Sequence, residues 1–278
     1  MKRRPATLLW FAITLVALCV WTFPLLWTLL TSFKSAREVF TYPPRFIFHP
    51  TLDNYRQALF GDSSIIPNLG VSAIVATSTT VLTMLVSVPA AYALARLKFP
   101  GKNGLGLYTL ATQMLPPIGL IIPYFIILNH IKWSNTYQGL IVIYLTFAIP
   151  FSVWLLVSFF EDVPIEMEEA AYLDRAGRFT TLWQIILPQV RGGIVVTLIF
   201  TFLHAWNEFL FAIVLGGSQI RTITAAMYNF ISVEQTLWGP LTAAAVITML
   251  PVVIIGLIAQ RHIVTGLSLG AVKGGRAR

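Results

Sequence analysis

The acidic residues of this chain are concentrated in one short stretch between two long apolar segments. Six of the eleven Asp and Glu residues lie between Glu161 and Asp174. Pro164 is compatible with a first helical turn, and the carboxylates after it, beginning with Glu166, favour a helix start because they face the positive end of the helix dipole. The pattern therefore predicts a charged helix at this position.

The same stretch predicts a turn and a second helix. We expect Gly177 to end the first helix in a left-handed conformation. Thr180 or Thr181 is then expected to cap a second short helix, which Pro188 prevents from extending cleanly. The segment is thus predicted to be a helix-turn-helix of roughly two dozen residues.

One face of the first predicted helix carries small residues. Met167, Ala170 and Ala171 recur at spacings of three and four, so they share a face. Two alanines make that face shallow, which allows another surface to approach closely. The pattern predicts a docking surface. A solvated amphipathic loop would explain the charges but not the small residues.

Sequence motifs for catalysis and cofactor binding are absent. The nucleotide-binding pattern G-x-x-x-x-G-K-[ST] does not occur, because "GKN" at Gly101–Asn103 lacks the upstream glycine and the hydroxyl. There is no H-E-x-x-H or G-x-S-x-G pattern, and the four histidines are dispersed over different segments. The single cysteine, Cys19, excludes an internal disulfide. We expect this chain to bind no cofactor and no metal.

The composition is typical of a protein that crosses a membrane several times, since 56% of the residues are hydrophobic and 11% are charged. A crossing needs about 20 apolar residues, because the hydrocarbon layer is roughly 30 Å thick. The spans are predicted to be helices, because open sheet edges are not tolerated in lipid and the sequence lacks the alternation of a membrane barrel. Six segments qualify: Leu8–Phe33, Ile66–Leu94, Leu105–Leu128, Leu140–Phe160, Ile194–Leu215 and Leu241–Ile258.

The distribution of lysine and arginine predicts the orientation. With the N-terminus inside, 13 of the 19 basic residues fall in cytoplasmic segments. Both termini and the acidic stretch are therefore expected in the cytoplasm. The net charge of +8 is scattered over short loops without a basic stripe, so membrane lipids are expected partners and nucleic acid is not.

Polar residues inside the predicted spans mark a candidate path. Gln113, Asn207 and Glu208 stand out, with Trp206 beside them, and polar groups within a membrane usually face protein or a water-filled cavity. We expect these residues to line the path or to hold its gate. Alternatively, His204 and Glu208 are four residues apart and form a local pair.

Prolines within the spans predict interruptions of the helices. A proline lacks the backbone N–H that a helix requires, so it breaks or kinks the helix and exposes carbonyl oxygens. The prolines concerned are Pro116, Pro117 and Pro123 in span three, Pro150 in span four and Pro251 in span six. Structural kinks without a role in transport are the alternative.

The stretch "EEAAYLDRAGRFTTLWQIILP" resembles the EAA loop of ABC importer permeases. That loop reads E-A-A, three residues, G, nine residues and I-x-L-P, and Glu169, Ala171 and Pro188 occupy matching positions. Arg175 stands where the family usually has glycine, and Gly177 follows two residues later. We expect the helix to end at Gly177 instead.

Three further stretches resemble the carbohydrate-type, maltose-permease-like subgroup of these permeases. They are "TLDNYRQAL" at Thr51–Leu59, "HAWNEFLFAIVL" at His204–Leu215 and "LPVVIIGLIAQRHIVTGLSLGAVKGG" at Leu250–Gly275. The resemblance thus covers nearly the whole chain. It implies an all-α membrane protein with the six-helix transmembrane bundle of the ABC importer permeases.

The resemblance also implies a domain organisation and a set of coupling residues. Residues 1–65 would hold the first span and first external loop, residues 66–265 the permease domain with its EAA loop at 161–190, and residues 266–278 a cytoplasmic tail. The residues implied in coupling to an ATPase are Glu168, Glu169, Ala170, Ala171, Asp174, Arg175, Gly177, Ile185, Leu187 and Pro188.

By resemblance, the chain is expected to be a subunit of an importer and not an enzyme. Its partners would be a second permease subunit, two ATPase subunits that bind ATP and Mg, and an extracytoplasmic solute-binding protein, toward which Gly216–Gly239 reaches unless it is a plain connector. The complex would import a sugar or related polar solute across a bacterial or archaeal inner membrane.

Two other classes of protein are alternatives for this sequence. An ion-coupled secondary transporter would need paired broken helices in two related halves and an ion-binding carboxylate, and Glu208 is the one acidic residue well inside a predicted span. The EAA pattern argues against this alternative. An intramembrane hydrolase lacks a catalytic constellation in this sequence.

Overall fold

The computed structural model describes residues 5–232 and 235–273, with side chains described for residues 9–232 and 235–260. The described chain is helical and forms no β-strand. Its α-helices are α1 Pro5–Ser32, α2 Ala36–Val39, α3 Asp53–Phe60, α4 Ile66–Arg96, α5 Lys102–Met114, α6 Pro117–His130, α7 Tyr137–Glu161, α8 Glu166–Leu173, α9 Arg178–Thr180, α10 Leu187–Gln189, α11 Arg191–Asn207, α12 Leu210–Leu215, α13 Ile223–Ala226 and α14 Trp238–Lys273. A π-helical turn, Thr181–Ile186, joins α9 to α10, and a 3-10 turn, Met227–Phe230, follows α13.

Long apolar helices account for the predicted spans. Four described helices are long and apolar enough to cross a membrane: Leu9–Ser32 in α1, α4, α7 and Trp238–Gln260 in α14. Two bent pairs raise the number to as many as six: α5 with α6, bent by 99°, and Arg178–Gln189 with α11, bent by 81°. The predicted all-α fold with up to six spans is confirmed.

The break in the third span follows from its sequence. Leu115 and Pro116 are both extended, and Pro117 begins α6. A residue that precedes proline is pushed out of the helical region, so the pair Pro116–Pro117 interrupts the helix where the prolines predicted it. Pro123 lies inside α6, so the interruption expected at this residue is wrong.

The two prolines expected to interrupt spans four and six do not break their helices. Pro150 lies inside α7 and Pro251 inside α14, and both helices continue through them. The predicted interruptions at these two positions are therefore wrong. Long helices accommodate a single proline when the surrounding structure satisfies the freed carbonyl group.

The fifth span differs from its prediction. The expected continuous helix Ile194–Leu215 is divided, because α11 ends at Asn207, Glu208 is extended with φ −64° and ψ 129°, and α12 begins at Leu210. Neither glycine nor proline causes this break. The partners of the Glu208 side chain, described below, hold it.

Contacts divide the chain into two compact units, each with its own packing. The first contains the described residues up to Pro67 together with those from Ala226 to Leu250. In it, the buried Asn54 amide donates to the carbonyl oxygens of Ser32 at 2.9 Å and Lys34 at 2.7 Å. These bonds tie α3 to the end of α1, so the "TLDNYRQAL" stretch has a structural role within this unit.

The second unit contains Asn68–Ala225 and the described residues from Pro251 onward. One of its apolar cores joins α4 and α7 to the EAA segment, by which we mean residues 161–190. Its fully buried members include Ala91, Leu156, Phe160 and Ile186. This core attaches one side of the EAA segment to two long apolar helices.

Some sequence expectations lie outside the described residues. Of the basic residues behind the orientation prediction, Lys2, Arg3, Arg4, Arg276 and Arg278 are not described. The end of the predicted tail, residues 274–278, falls outside the described range as well. The domain boundaries taken from the resemblance stay a prediction.

Candidate functional sites at the EAA segment and the fifth span

Helix α8 ends in a Schellman motif centred on Arg175. The backbone N–H of Ala176 donates to the Ala171 carbonyl at 2.9 Å, and that of Arg175 donates to the Tyr172 carbonyl at 3.0 Å. Arg175 has φ 59°, in the left-handed region, whereas Gly177 is extended with φ −71° and ψ 159°. The expectation that Gly177 ends the helix is therefore wrong, and Arg175 adopts the turn conformation at the position where the EAA pattern has glycine.

The second helix of the EAA segment begins at Arg178. Gly177 precedes its first residue, and the Thr181 hydroxyl donates back to the Gly177 carbonyl at 3.1 Å instead of accepting from an amide. The predicted caps at Thr180 and Thr181 are thus wrong. Pro188 lies in α10, which ends one residue later at Gln189, as expected of a helix that this proline keeps from extending cleanly. The wide π turn comes directly before it, where the missing proline N–H leaves the usual hydrogen-bond pattern without a donor.

The predicted docking face of α8 points into the chain. Ala171 and Glu168 are each 4% exposed, and Met167 packs against the core shared with α4 and α7. Of the three residues expected on an open face, Ala170 is exposed. The prediction of a shallow face made of all three is wrong, because the helix turns its Glu168 side inward. Ile185 and Leu187 also pack on this core, whereas Pro188 is exposed.

The outer side of the EAA segment presents large apolar side chains beside the exposed Glu169 and Asp174. Leu173 is 85% exposed and Phe179 is 75% exposed. The Phe179 and Trp183 rings lie 5.8 Å apart between centroids. Large exposed apolar groups on a folded helix pair are typical of interaction sites.

A buried ion pair attaches α8 to α4. Arg96 Nε lies 2.7 Å from Glu168 Oε1, and the Tyr92 hydroxyl donates to Glu168 Oε2 at 3.1 Å. The Arg96 guanidinium also donates to the carbonyl oxygen of Val163. The sequence pattern singled out neither Arg96 nor Tyr92 as a contact of the EAA segment. Their spacing of four residues near the end of a long helix places them on one face, which was the available signal.

The Glu208 carboxylate caps the helix that follows the break in span five. It accepts from the Tyr144 hydroxyl at 2.8 Å and from the backbone N–H groups of Phe211 at 2.9 Å and Ala212 at 3.0 Å. The Thr224 hydroxyl donates to the Glu208 carbonyl at 2.6 Å. Within the described part of the chain, His204 does not pair with Glu208, so the predicted local pair is wrong.

The remaining candidates differ in their surroundings. Gln113 donates to the Phe147 carbonyl at 3.1 Å and so ties α5 to α7. Trp206 is buried and stacks on Phe202, with 5.7 Å between ring centroids. Asn207 is exposed and bonds the Leu203 carbonyl one turn earlier.

An open cleft of about 630 Å³ lies beside the break in span five. Asn207 and Glu208 line it, whereas Gln113 and Trp206 do not. The structure thus brings two of the four predicted path residues to one cleft. The full lining is Pro117, Tyr144, Phe147, Phe151, Phe200, Leu203, His204, Asn207, Glu208, Phe209, Leu210 and Phe211.

Comparison with known proteins identifies relatives along almost the full chain. Residues 84–269, more than half of the chain, match the family described as binding-protein-dependent transport system inner membrane component. A probable ABC transporter permease of Sinorhizobium fredii is 36% identical over 272 residues, 98% of each chain. The trehalose/maltose transport system permease MalG of Thermococcus litoralis is 35% identical over 266 residues, 95% of each chain. The diacetylchitobiose uptake system permease NgcG of Streptomyces coelicolor is 36% identical over 266 residues, 95% of this chain and 85% of the relative.

A solved structure shares the fold. A chain in the crystal structure of a bacterial ABC transporter involved in the import of the acidic polysaccharide alginate superposes with a TM-score of 0.76 at 19% identity, covering 94% of this chain and 99% of that one. The predicted membership of the ABC importer permease family is confirmed by the family match and by these relatives. The chain therefore belongs to the inner-membrane components of binding-protein-dependent transport systems, the permease subunits of ABC importers.

Proposed function

We propose that this chain forms half of the translocation path of an ATP-driven importer for a sugar or a related polar solute, and that it engages a separate ATPase through the EAA segment. Relatives named for trehalose, maltose and diacetylchitobiose support the carbohydrate class. The observation that carries the coupling role is the two-sided EAA segment, with its buried Glu168 side and its exposed Leu173 side.

The exposed side of the EAA segment is the surface that meets the ATPase. Leu173, Phe179 and Trp183 offer apolar area, and the exposed Glu169 offers a carboxylate beside Ala170. The coupling residues that face inward hold this surface in place. ATP and Mg bind to the two ATPase subunits, which supply the energy for transport.

The cleft beside span five is the part of the path that this chain contributes. Ring faces such as those of Phe147 and Phe200, with a few polar groups such as Asn207 and His204, suit a solute that has both apolar and polar faces. A second permease subunit completes the path. Glu208 preserves the shape of the cleft because it holds the helix break.

The proposed orientation follows the distribution of basic residues. Both termini and the EAA segment are cytoplasmic, and the loop at 216–239 faces a solute-binding protein on the other side of a bacterial or archaeal inner membrane. Reporter fusions test this orientation directly. Fusions at Ser64, Gly177 and Arg278 are expected to report outside, inside and inside, and an outside signal at Gly177 would contradict the coupling role.

The decisive experiment combines copurification with transport. The chain is expressed with its partner subunits, the ATPase that copurifies is quantified, and ATP-dependent uptake of labelled trehalose and of diacetylchitobiose into vesicles is measured. Leu173→Glu is expected to abolish ATPase copurification, because it places a charge in the apolar contact. Leu52→Glu is a matched control, since Leu52 is also well exposed but lies far from the EAA segment in the sequence.

Two results would contradict the proposal. If no ATPase subunit copurifies with the unaltered chain, coupling through the EAA segment is wrong. If uptake proceeds without ATP and follows an ion gradient, the chain is a secondary transporter.

A further inference from the structure

Helix α4 is bonded at one end to the EAA segment and at the other end to the loop that the proposed function places toward the solute-binding protein. Near its last turn, Arg96 and Tyr92 hold Glu168 of α8. Near its first turn, the Asn68 amide donates to the Arg221 carbonyl at 2.8 Å, and the Ser72 hydroxyl oxygen accepts from the buried N–H of Ile223 at 2.8 Å.

The helix between these contacts is continuous. It has 31 residues, so at about 1.5 Å per residue it is roughly 46 Å long, enough to cross the membrane in one piece. Pro89 lies inside it without ending it. A displacement applied at one end of an unbroken helix therefore reaches the other end.

We propose that α4 transmits the ATP-driven displacement of the EAA segment to the loop at residues 216–225, and that Arg96 and Tyr92 are the positioning residues that transfer it from α8 to α4. This inference rests on the proposed function. It adds a route through the subunit and names residues outside the EAA pattern.

The ion pair is suited to this transfer because its members depend on each other. Arg96 Nε and Glu168 Oε1 are buried, and among the described residues neither atom has a hydrogen-bond partner apart from their mutual contact. Separating them would leave each buried charge without an opposite charge, so a movement of α8 along α4 is expected to move α4 as well. Tyr92 holds the second carboxylate oxygen and thereby fixes the direction of the contact.

The apolar core around the ion pair cannot fix the orientation of α8 relative to α4 in the same way. Contacts among Leu156, Phe160 and Ile186 are non-directional, so they do not by themselves select one orientation of α8 on α4. Charge-assisted hydrogen bonds require a defined geometry. The register between α8 and α4 therefore depends on the polar contacts, while the core holds the two elements together.

At its other end, α4 is hydrogen-bonded to backbone atoms of the loop at residues 216–225. The bonds from Asn68 and Ser72 go to main-chain groups of residues 221 and 223, so the path of the loop follows the helix. Asn135 strengthens this arrangement, because its side-chain oxygen accepts from the N–H groups of Gln219 at 3.0 Å and Ile220 at 3.2 Å. The loop is thus held as a unit against the same bundle.

The test measures movement of α4 directly and needs no knowledge of the solute. In the assembled complex, Cys19→Ser removes the single cysteine of this chain, and spin labels are placed at Ile74→Cys in α4 and Val142→Cys in α7. Distances are recorded without nucleotide and after trapping with ATP and vanadate. We expect trapping to change the distance in the parent. In Glu168→Gln, the trapped population is expected to fall at least about fivefold.

Two further variants distinguish a role in transmitting movement from α8 to α4 from a role in folding. Tyr92→Phe keeps the ring that packs edge-on against Phe160 and removes one bond, so a smaller loss of about twofold is expected. Lys98→Gln is the matched control, because it removes an exposed positive charge just beyond α4 and is expected to leave the distance change intact. ATPase copurification is measured for every variant.

Each outcome decides between the two proposals. If the ATPase does not copurify with the parent, the proposed function and this inference both fail. If the ATPase copurifies but trapping moves no label in the parent, or if Glu168→Gln shows the full distance change, the inference alone is overturned. If Glu168→Gln and Tyr92→Phe lose the ATPase altogether, the contact serves folding or docking, and the inference is overturned as well.

Discussion

Glu168 is buried and Glu208 is half-buried, and their carboxylates have different hydrogen-bond partners. Each accepts a hydrogen bond from a tyrosine of a long helix, Tyr92 in α4 for the first and Tyr144 in α7 for the second. The other partner of Glu168 is the Arg96 guanidinium, whereas the other partners of Glu208 are two backbone N–H groups at the start of α12.

The ion pair of Glu168 joins two helices, whereas the backbone bonds of Glu208 stabilise a bend within one span. A guanidinium on another helix makes the position of α8 depend on the position of α4. Backbone N–H groups three and four residues along the chain stabilise one particular bend of the same span. We therefore expect changes at Glu168 to affect coupling between elements, and changes at Glu208 to affect the shape of the cleft.

The largest effect is expected from breaking the ion pair on one side. Arg96→Met leaves the Glu168 carboxylate buried without its charged partner, which is expected to lower the free energy of unfolding by about 3–5 kcal/mol. The measurement is denaturant or thermal unfolding of the purified complex in detergent.

The double variant sharpens this result. Replacing both members, as Arg96→Met with Glu168→Met, removes both charges and is expected to recover most of the lost stability, since buried ion pairs contribute little net energy relative to apolar side chains. Coupling should not recover, because the directional contact is gone. A double variant that is as unstable as the single one would show that the pair is needed for folding itself.

The second effect concerns the helix break at Glu208. Glu208→Ala leaves two backbone N–H groups and the Tyr144 hydroxyl without their acceptor, which is expected to cost about 2–3 kcal/mol. Asn207→Ala is the matched control. Its exposed side chain bonds one carbonyl in its own helix, so the cost should stay within about 0.5 kcal/mol.

Glu208→Gln asks whether the charge itself matters for transport. The amide keeps one acceptor oxygen and replaces the other with a donor that faces N–H or O–H groups, so uptake is expected to fall while the complex still assembles. Uptake at the parental rate across the pH range would exclude a role for the charge.

A third comparison lies within α8. Ala171 is buried and Ala170 is exposed, although the two are adjacent. Ala171→Leu is expected to destabilise the chain by about 1–3 kcal/mol through overpacking. Ala170→Leu should leave stability unchanged and weaken ATPase copurification. Equal effects on stability would show that the described burial of α8 is wrong.

The sequence predicted what depends on local signals. Apolar length predicted the spans, the pair Pro116–Pro117 predicted the break in the third span, and charge and helix signals predicted two helices in the EAA segment. The break at Glu208 was missed because no glycine or proline marks it. An acidic residue inside an apolar span, three and four residues before the N–H groups that it binds, was the available signal, since such residues cap helices.

The sequence pattern could not predict contacts between segments that are far apart in the chain. The rotation of α8 about its axis depends on Glu168 meeting Arg96 and Tyr92, which lie far away in the chain, so the spacing of Met167 and Ala171 alone did not show which side faces inward. Helix α8 ends at Leu173, two residues after Ala171, and the left-handed residue that follows is Arg175 and not the nearest glycine.

The smallest effect tests that end of the helix. Arg175 holds a left-handed conformation that costs an L-residue roughly 1–2 kcal/mol relative to glycine, and its exposed side chain makes no polar contact within the described residues. Arg175→Gly is therefore expected to raise the free energy of unfolding by about 0.5–1 kcal/mol, after allowance for the greater freedom of glycine in the unfolded chain. Gly177→Ala is the counterpart, because Gly177 is extended and a methyl group there would meet open space. Its effect should stay within about 0.5 kcal/mol of zero. Unfolding of both variants under the same conditions distinguishes the two positions. A loss of about 1 kcal/mol for Gly177→Ala with no gain for Arg175→Gly would place the left-handed residue at Gly177, where the sequence alone had suggested it.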